Sequence, residues 1–277
     1  MVYLILAIAS SMSVSVIMRL SERHVRNDVS MLALNYLMCT LLALAYAGLP
    51  QLPAGPGSGF AASLGVVNGF LYLGSFLLLQ WNIRNNGVVL PATFMKLGVL
   101  VPTVMAVAVF REVPTFAQIT GFLLALAAIV MIRFEKGAGR AKSGLGLVLL
   151  LLGGGATDAT SKIYEELGQS AFENHFLLYT FVVALVLCVL LCIAKKQGLR
   201  PVDAGFGLLI GIPNYFSARF LLLSLGSVPA VVAYPTYSVG TIVLVTLIGT
   251  LLFGERLSRR QLTAMGIILI ALALLNI

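Results

Sequence analysis

Charge is what this sequence lacks. Only 10% of its residues are Asp, Glu, Lys or Arg, where a soluble domain carries about 25%. Hydrophobic residues make up 60% of the chain and mean hydropathy is +1.02, which leaves too little polar surface to cover a water-soluble globule. Histidine and cysteine are scarce as well: His24 and His175, and Cys39, Cys188 and Cys192. The cysteines lie inside apolar blocks, with no CxxC pair and no histidine nearby, so they read as small core residues. Neither a His/Cys metal site nor any cofactor is expected. A membrane-embedded enzyme would need a nucleophile–base or metal constellation at one depth, and this chain offers none. It lacks the extramembrane domain of a scaffold or receptor, and no ring-forming motif marks a channel.

What the chain has in abundance is apolar length. A spanning helix takes about 20 mostly apolar residues, and the pattern predicts ten such spans: 2–20, 29–47, 58–80, 87–110, 114–133, 143–163, 171–194, 203–225, 228–252 and 258–276. Turn residues punctuate the linkers Pro50 to Gly59, Asn85 to Gly87 and Gly137 to Ser143. The first block has no basic residues before it and Arg19, Arg23 and Arg26 after it, the order of a retained helix rather than a cleaved signal peptide.

The net charge of +8 belongs to short loops and carries no basic-aromatic patch, so nucleic acid is not an expected partner. Loops after spans 1, 3, 5, 7 and 9 hold fourteen of the eighteen Lys and Arg; Arg111 and Lys162 fall on the opposite side, together with the acidic Glu165, Glu166 and Glu173. By the positive-inside rule the fourteen are cytoplasmic and both termini lie outside. The location implied is a cell membrane crossed many times, of the bacterial plasma-membrane kind, with the lipid bilayer as solvent.

Laid against itself at one constant offset, the chain repeats its scarce residues. Arg19 falls on Lys162, Glu22 on Glu165, Tyr36 on Tyr179 and Tyr72 on Tyr215; Glu112, Gln118 and Thr120 fall on Glu255, Gln261 and Thr263. Each unit, 1–135 and 143–277, holds five spans. Five is odd, so the second unit enters the membrane from the opposite side, as in many secondary transporters. The expected fold is thus an all-α membrane protein of ten transmembrane helices in two inverted five-helix repeats.

Ten spans in about 280 residues, with Phe110–Arg111–Glu112…Gln118 between spans 4 and 5 and Phe253–Gly254–Glu255…Gln261 between spans 9 and 10, resemble the drug/metabolite transporter superfamily in its EamA-like branch. The resemblance covers the whole chain and implies a transporter. Ten-helix members of that superfamily commonly keep both termini in the cytoplasm; the charge distribution here places them outside, and that distribution is followed.

Two cations remain inside the membrane, where each costs about 3 kcal/mol to insert. Lys96 sits mid-span between Pro91 and Pro102, with ~15 Å to cover before it could reach an interface, and is the leading candidate to face a solute cavity. Arg219 follows the run Gly211 to Ser217, with Asn214 nearby and Tyr215 one turn before it. Asp158, in a Thr/Ser-rich stretch after Gly153–Gly154–Gly155, is a candidate proton-coupling carboxylate or a partner for Lys162 at i+4 or for Arg219. The glycines themselves read as helix packing. Asn68 and Tyr72 share one helix face, and Tyr72 and Tyr215 are expected to face each other across the pseudo-symmetry axis. Tyr234 and Tyr237 flank Pro235 and suit either a solute site or an interfacial belt. Glu112 and Glu255 read as helix-capping residues, and Trp81 as an interface anchor.

These residues point to a secondary transporter of a small organic metabolite, such as an amino acid or organic anion, by alternating access around a central cavity. The alternative is a proton-coupled exporter of lipophilic cations, with Asp158 the shared carboxylate. Either would act as a monomer or homodimer.

Overall fold

The computed structural model describes residues 1–21, 24–48, 55, 57–86, 91, 94–95, 97–133, 144–253 and 259–276. Among them it is all helical: α1 (Val2–Ser21), α2 (Asp28–Ala47), α3 (Ser58–Asn86), α4 (Leu100–Ala108), α5 (Phe116–Arg133), α6 (Gly144–Leu167), α7 (Glu173–Ala194), α8 (Pro201–Leu225), α9 (Ala230–Phe253) and α10 (Arg259–Leu275), with a 3-10 turn at Ser170–Phe172 before α7. Seven of these are long and apolar enough to cross a membrane: α1, α2, α3 over Ser58–Leu79, α6, α7 with its 3-10 turn, α8, and α9 over Ala230–Leu251; α5 and α10 are shorter and apolar. The third helix runs to Asn86, beyond the end read from hydropathy, so Trp81 lies inside it and is exposed. The linker at 137–143 and Lys96 fall outside the described residues.

The chain divides into two compact units. One comprises Val2–Leu73 and Ile163–Leu223; the other comprises Met1, Gly74–Lys162 and Ser224–Ile277. Each draws on both halves of the sequence.

In the first unit, α2 and α7 form the most extensive helix pair, and glycine lets two more helices close on it. On α3, a Cβ at Gly65 would stand 2.7 Å from Tyr179 Cβ, and one at Gly69 would stand 2.7 Å from the Thr180 carbonyl, both on α7. On α8, a Cβ at Gly207 would strike the Met31 carbonyl and one at Gly211 would lie 2.6 Å from the Asn35 carbonyl, both on α2. These are small-xxx-small contacts, the device by which helices in lipid approach closely enough to gain van der Waals attraction. The α8 start is tied down separately: buried Asp203 accepts the Arg26 N–H at 3.2 Å, in the first helical turn, where the macrodipole favours an anion.

In the second unit, α5 packs against α10, and Ala125, Ala128, Ile129, Val239, Ile242, Ile268 and Ala271 of α5, α9 and α10 form a buried core. The α5 start is a capping box: Thr115 N–H donates to Gln118 Oε1 at 3.0 Å and Gln118 N–H donates to Thr115 Oγ1 at 3.2 Å. In the sequence, Ser258 and Gln261 repeat that spelling where α10 begins. Gly155 of the glycine triplet packs against Gly98 and Val101, leaving no room for a Cβ. The triplet is a packing surface.

Candidate functional site

Within the first unit, α8 carries Arg219 one turn beyond Tyr215, so both point to the same side of the helix. The Arg219 guanidinium donates from Nη1 to Asn174 Oδ1 on α7 and, at 3.1 Å, to the Tyr215 hydroxyl. Its plane lies over the Tyr46 ring at 4.1 Å, a cation–π contact. Asn174 in turn donates to the Tyr46 carbonyl at 3.1 Å. Among the described residues no carboxylate forms an ion pair with Arg219.

Aromatic rings continue inward from Arg219. Tyr215, fully buried, stacks on Tyr46 at 5.8 Å and leans on Phe181 at 6.0 Å. Tyr72 meets Phe181 edge-on at 5.9 Å, and Tyr36 approaches it at 6.5 Å. Tyr72 and Tyr215 therefore meet through Phe181. Asn214 donates to Asn35 Oδ1 at 3.1 Å and Asn68 to Thr180 Oγ1 at 3.4 Å; both link helices in the apolar interior.

The second unit holds the other polar centre. Lys162, 2% exposed, is paired with Glu112 at 2.9 Å and lies over the Phe110 ring. Glu112 also accepts the first two backbone N–H groups of α9, from Ala230 at 3.1 Å and Val231 at 3.0 Å. These donors have no intrahelical partner, so Glu112 caps α9, a helix far along the chain, and not α5. Burial pushes its carboxyl pKa up, but the Lys162 ammonium and the two amides outweigh that and hold it below the usual carboxylate value. Nearby, the Tyr234 hydroxyl donates to the Asp158 carbonyl at 2.7 Å. Tyr234 is 1% exposed, which removes it from any interfacial belt, and Tyr237 is half-buried. Asp158 is half-buried.

Phe181, Tyr46 and Asn174 carry no mark in the sequence. A phenylalanine among fifteen has no signal of its own, and Tyr46 and Asn174 sit at helix ends, where polar and aromatic residues are common. The spacing of Tyr215 and Arg219 is the readable part.

Residues 175–270 match the sequence pattern of the family described as Small Multidrug Resistance protein. An uncharacterized protein of Haemophilus influenzae is 26% identical over 278 residues, covering 96% of this chain and 93% of its own. A protein of known crystal structure aligns over 99% of this chain and 94% of its own, with a TM-score of 0.75 and 15% identity; that likeness shows a shared fold. Seven segments able to span a bilayer, together with the family match, mark the chain as a multi-pass membrane protein of transporter type.

Proposed function

We propose that this chain is a secondary active transporter working by alternating access, built from two inverted five-helix repeats at 1–135 and 143–277, in the manner of the EamA-like branch. The observation that carries the reading is the agreement of helix starts with the internal repeat. At the offset that lays Tyr72 on Tyr215, Ser58 and Phe116 fall on Pro201 and Arg259, the first residues of α8 and α10. Moreover, α2 packs on α7 and α5 on α10, so each of these helices lies against its own counterpart in the repeat. Two units that can exchange conformations give a cavity open first to one side and then to the other.

The match to the multidrug family favours a lipophilic cargo, exported against protons, with Asp158 the carboxylate that protons and a cationic solute would share. A second reading, transport of an amino acid or organic anion, is favoured by Arg219, whose guanidinium pairs with no carboxylate among the described residues. Lys96, Asn68, Tyr72, Asn214, Tyr215, Tyr234 and Tyr237 remain solute-site candidates under both, and Lys162 joins Asp158 as a candidate for coupling or pairing.

Purified protein in proteoliposomes decides the class. Under an imposed pH gradient, members of a panel of lipophilic cations, amino acids and organic anions are expected to accumulate or to exchange across the membrane. Asp158→Asn is expected to remove the dependence on the gradient. A panel in which nothing moves and nothing exchanges contradicts the transporter reading.

A further inference from the structure

The charge of the cargo is left open by the transporter reading, and the surroundings of Arg219 bear on it directly. A guanidinium offers five N–H donors in a rigid plane. Here both hydrogen bonds to the described residues come from Nη1, to Asn174 and Tyr215, and the Tyr46 ring covers the face. Nη2 and Nε make no hydrogen bond to the described residues. Neither is sealed in: the buried, unsatisfied nitrogens of the described residues include His175 Nδ1 and Arg200 Nη1 but no atom of Arg219. One edge of the fork is therefore fixed in place while the other is open among the described residues.

That open edge has the geometry that takes both oxygens of a carboxylate in parallel hydrogen bonds. A donor edge that is accessible and bonded to no described residue can take up a solute without first breaking a hydrogen bond to those residues. Holding the side chain beforehand through Nη1 and the ring also removes most of the rotamer entropy that binding would otherwise cost.

We propose that Arg219 recognises the carboxylate of a small organic solute through Nη2 and Nε, with the exposed Tyr46 supplying the apolar wall beside it. Glu173 directly precedes Asn174, the Arg219 partner, at the start of α7. A second anionic group on the solute is disfavoured there. The ligand class is a monocarboxylate or zwitterion with an apolar body, not a dicarboxylate. The inference rests on the transporter reading for its use in the cell, and binding tests it without transport.

The test compares acids with their amides. Thermal stabilisation of the purified full chain in detergent is measured with benzoate and L-phenylalanine, with benzamide and L-phenylalaninamide, and with succinate. The acids are expected to stabilise the protein; the amides and succinate are not. Arg219→Lys and Arg219→Ala are expected to weaken the acids about 10- to 100-fold, the range for hydrogen bonds to charged groups. Equal stabilisation by acid and amide, stabilisation by neither, or unchanged acid affinity in Arg219→Ala overturns the proposal. The wild-type comparison needs no variant, so a variant that fails to fold does not block it. Acids that bind while proteoliposomes move no solute leave this site standing and remove the transporter reading. Solute flux with acid and amide indistinguishable does the reverse.

Discussion

Gly207→Leu is expected to reduce the yield of monodisperse protein about tenfold, while Gly205→Leu, slightly earlier on the same helix, changes it by less than about a factor of two. The difference is one of neighbours. A Cβ at Gly207 would strike the Met31 carbonyl and stand 2.7 Å from Leu34 Cβ on α2; a Cβ at Gly205 meets nothing within 4 Å. Overpacking a core typically costs about 1–3 kcal/mol, and here the obstruction is backbone, which cannot rotate aside. Net stabilities are only about 5–15 kcal/mol, so losses of this size reach the folded yield. Gly65→Leu is expected to behave as Gly207→Leu does, because it would collide with Tyr179 and with the Phe176 carbonyl on α7. Size-exclusion chromatography of a fluorescent fusion measures all three. Equal yields for Gly205→Leu and Gly207→Leu would show that the α8–α2 contact is not the close one described.

Glu112→Ala is expected to cost about 3–5 kcal/mol, the usual result of breaking a buried ion pair from one side. The substitution takes a carboxylate from 2.9 Å beside a buried ammonium and strips the acceptor from two N–H groups at the α9 start. Combining Glu112→Gln with Lys162→Met is expected to recover most of the loss, since neither a charge nor a bare helix end then remains. The same contacts predict a pH effect. Because the folded-state pKa is lowered, the contribution of Glu112 is present above the ordinary value of 4.5 and is lost as the pH falls below it, through the lowered value. Melting of the wild type should therefore shift downward in acid more steeply than melting of Glu112→Gln. Parallel curves would mean that the carboxylate carries no charge-dependent stability.

How much of this is legible beforehand depends on the kind of signal. Apolar runs set by bilayer thickness mark the helices, and the internal echo of Tyr72 in Tyr215 and of Gln118 in Gln261 marks the capping and the aromatic faces. Side-chain periodicity on one helix puts Tyr215 beside Arg219. Contacts between distant segments leave no such trace. Lys162 has Asp158 one turn before it, a partner that spacing suggests; its pairing with Glu112, on a loop far earlier in the sequence, has no such signal. Glu112 is readable as a helix cap but not as the cap of α9, because which helix start lies above a loop is decided by tertiary packing. Phe181 is likewise central by position alone: fully buried, it touches Tyr36, Tyr72 and Tyr215, and nothing in its local sequence separates it from other phenylalanines in apolar helices.

The claim on which the transport mechanism depends is that the two halves enter the membrane from opposite sides, and topology measures it directly. Gly55 and Gly198 are equivalent positions under the internal repeat, in the linkers before α3 and α8. With Cys39, Cys188 and Cys192 replaced, single cysteines at these two positions can be probed with a membrane-impermeant maleimide. The account predicts that Gly55→Cys is labelled on intact cells and Gly198→Cys only after permeabilisation. Labelling of both from the same side would contradict it.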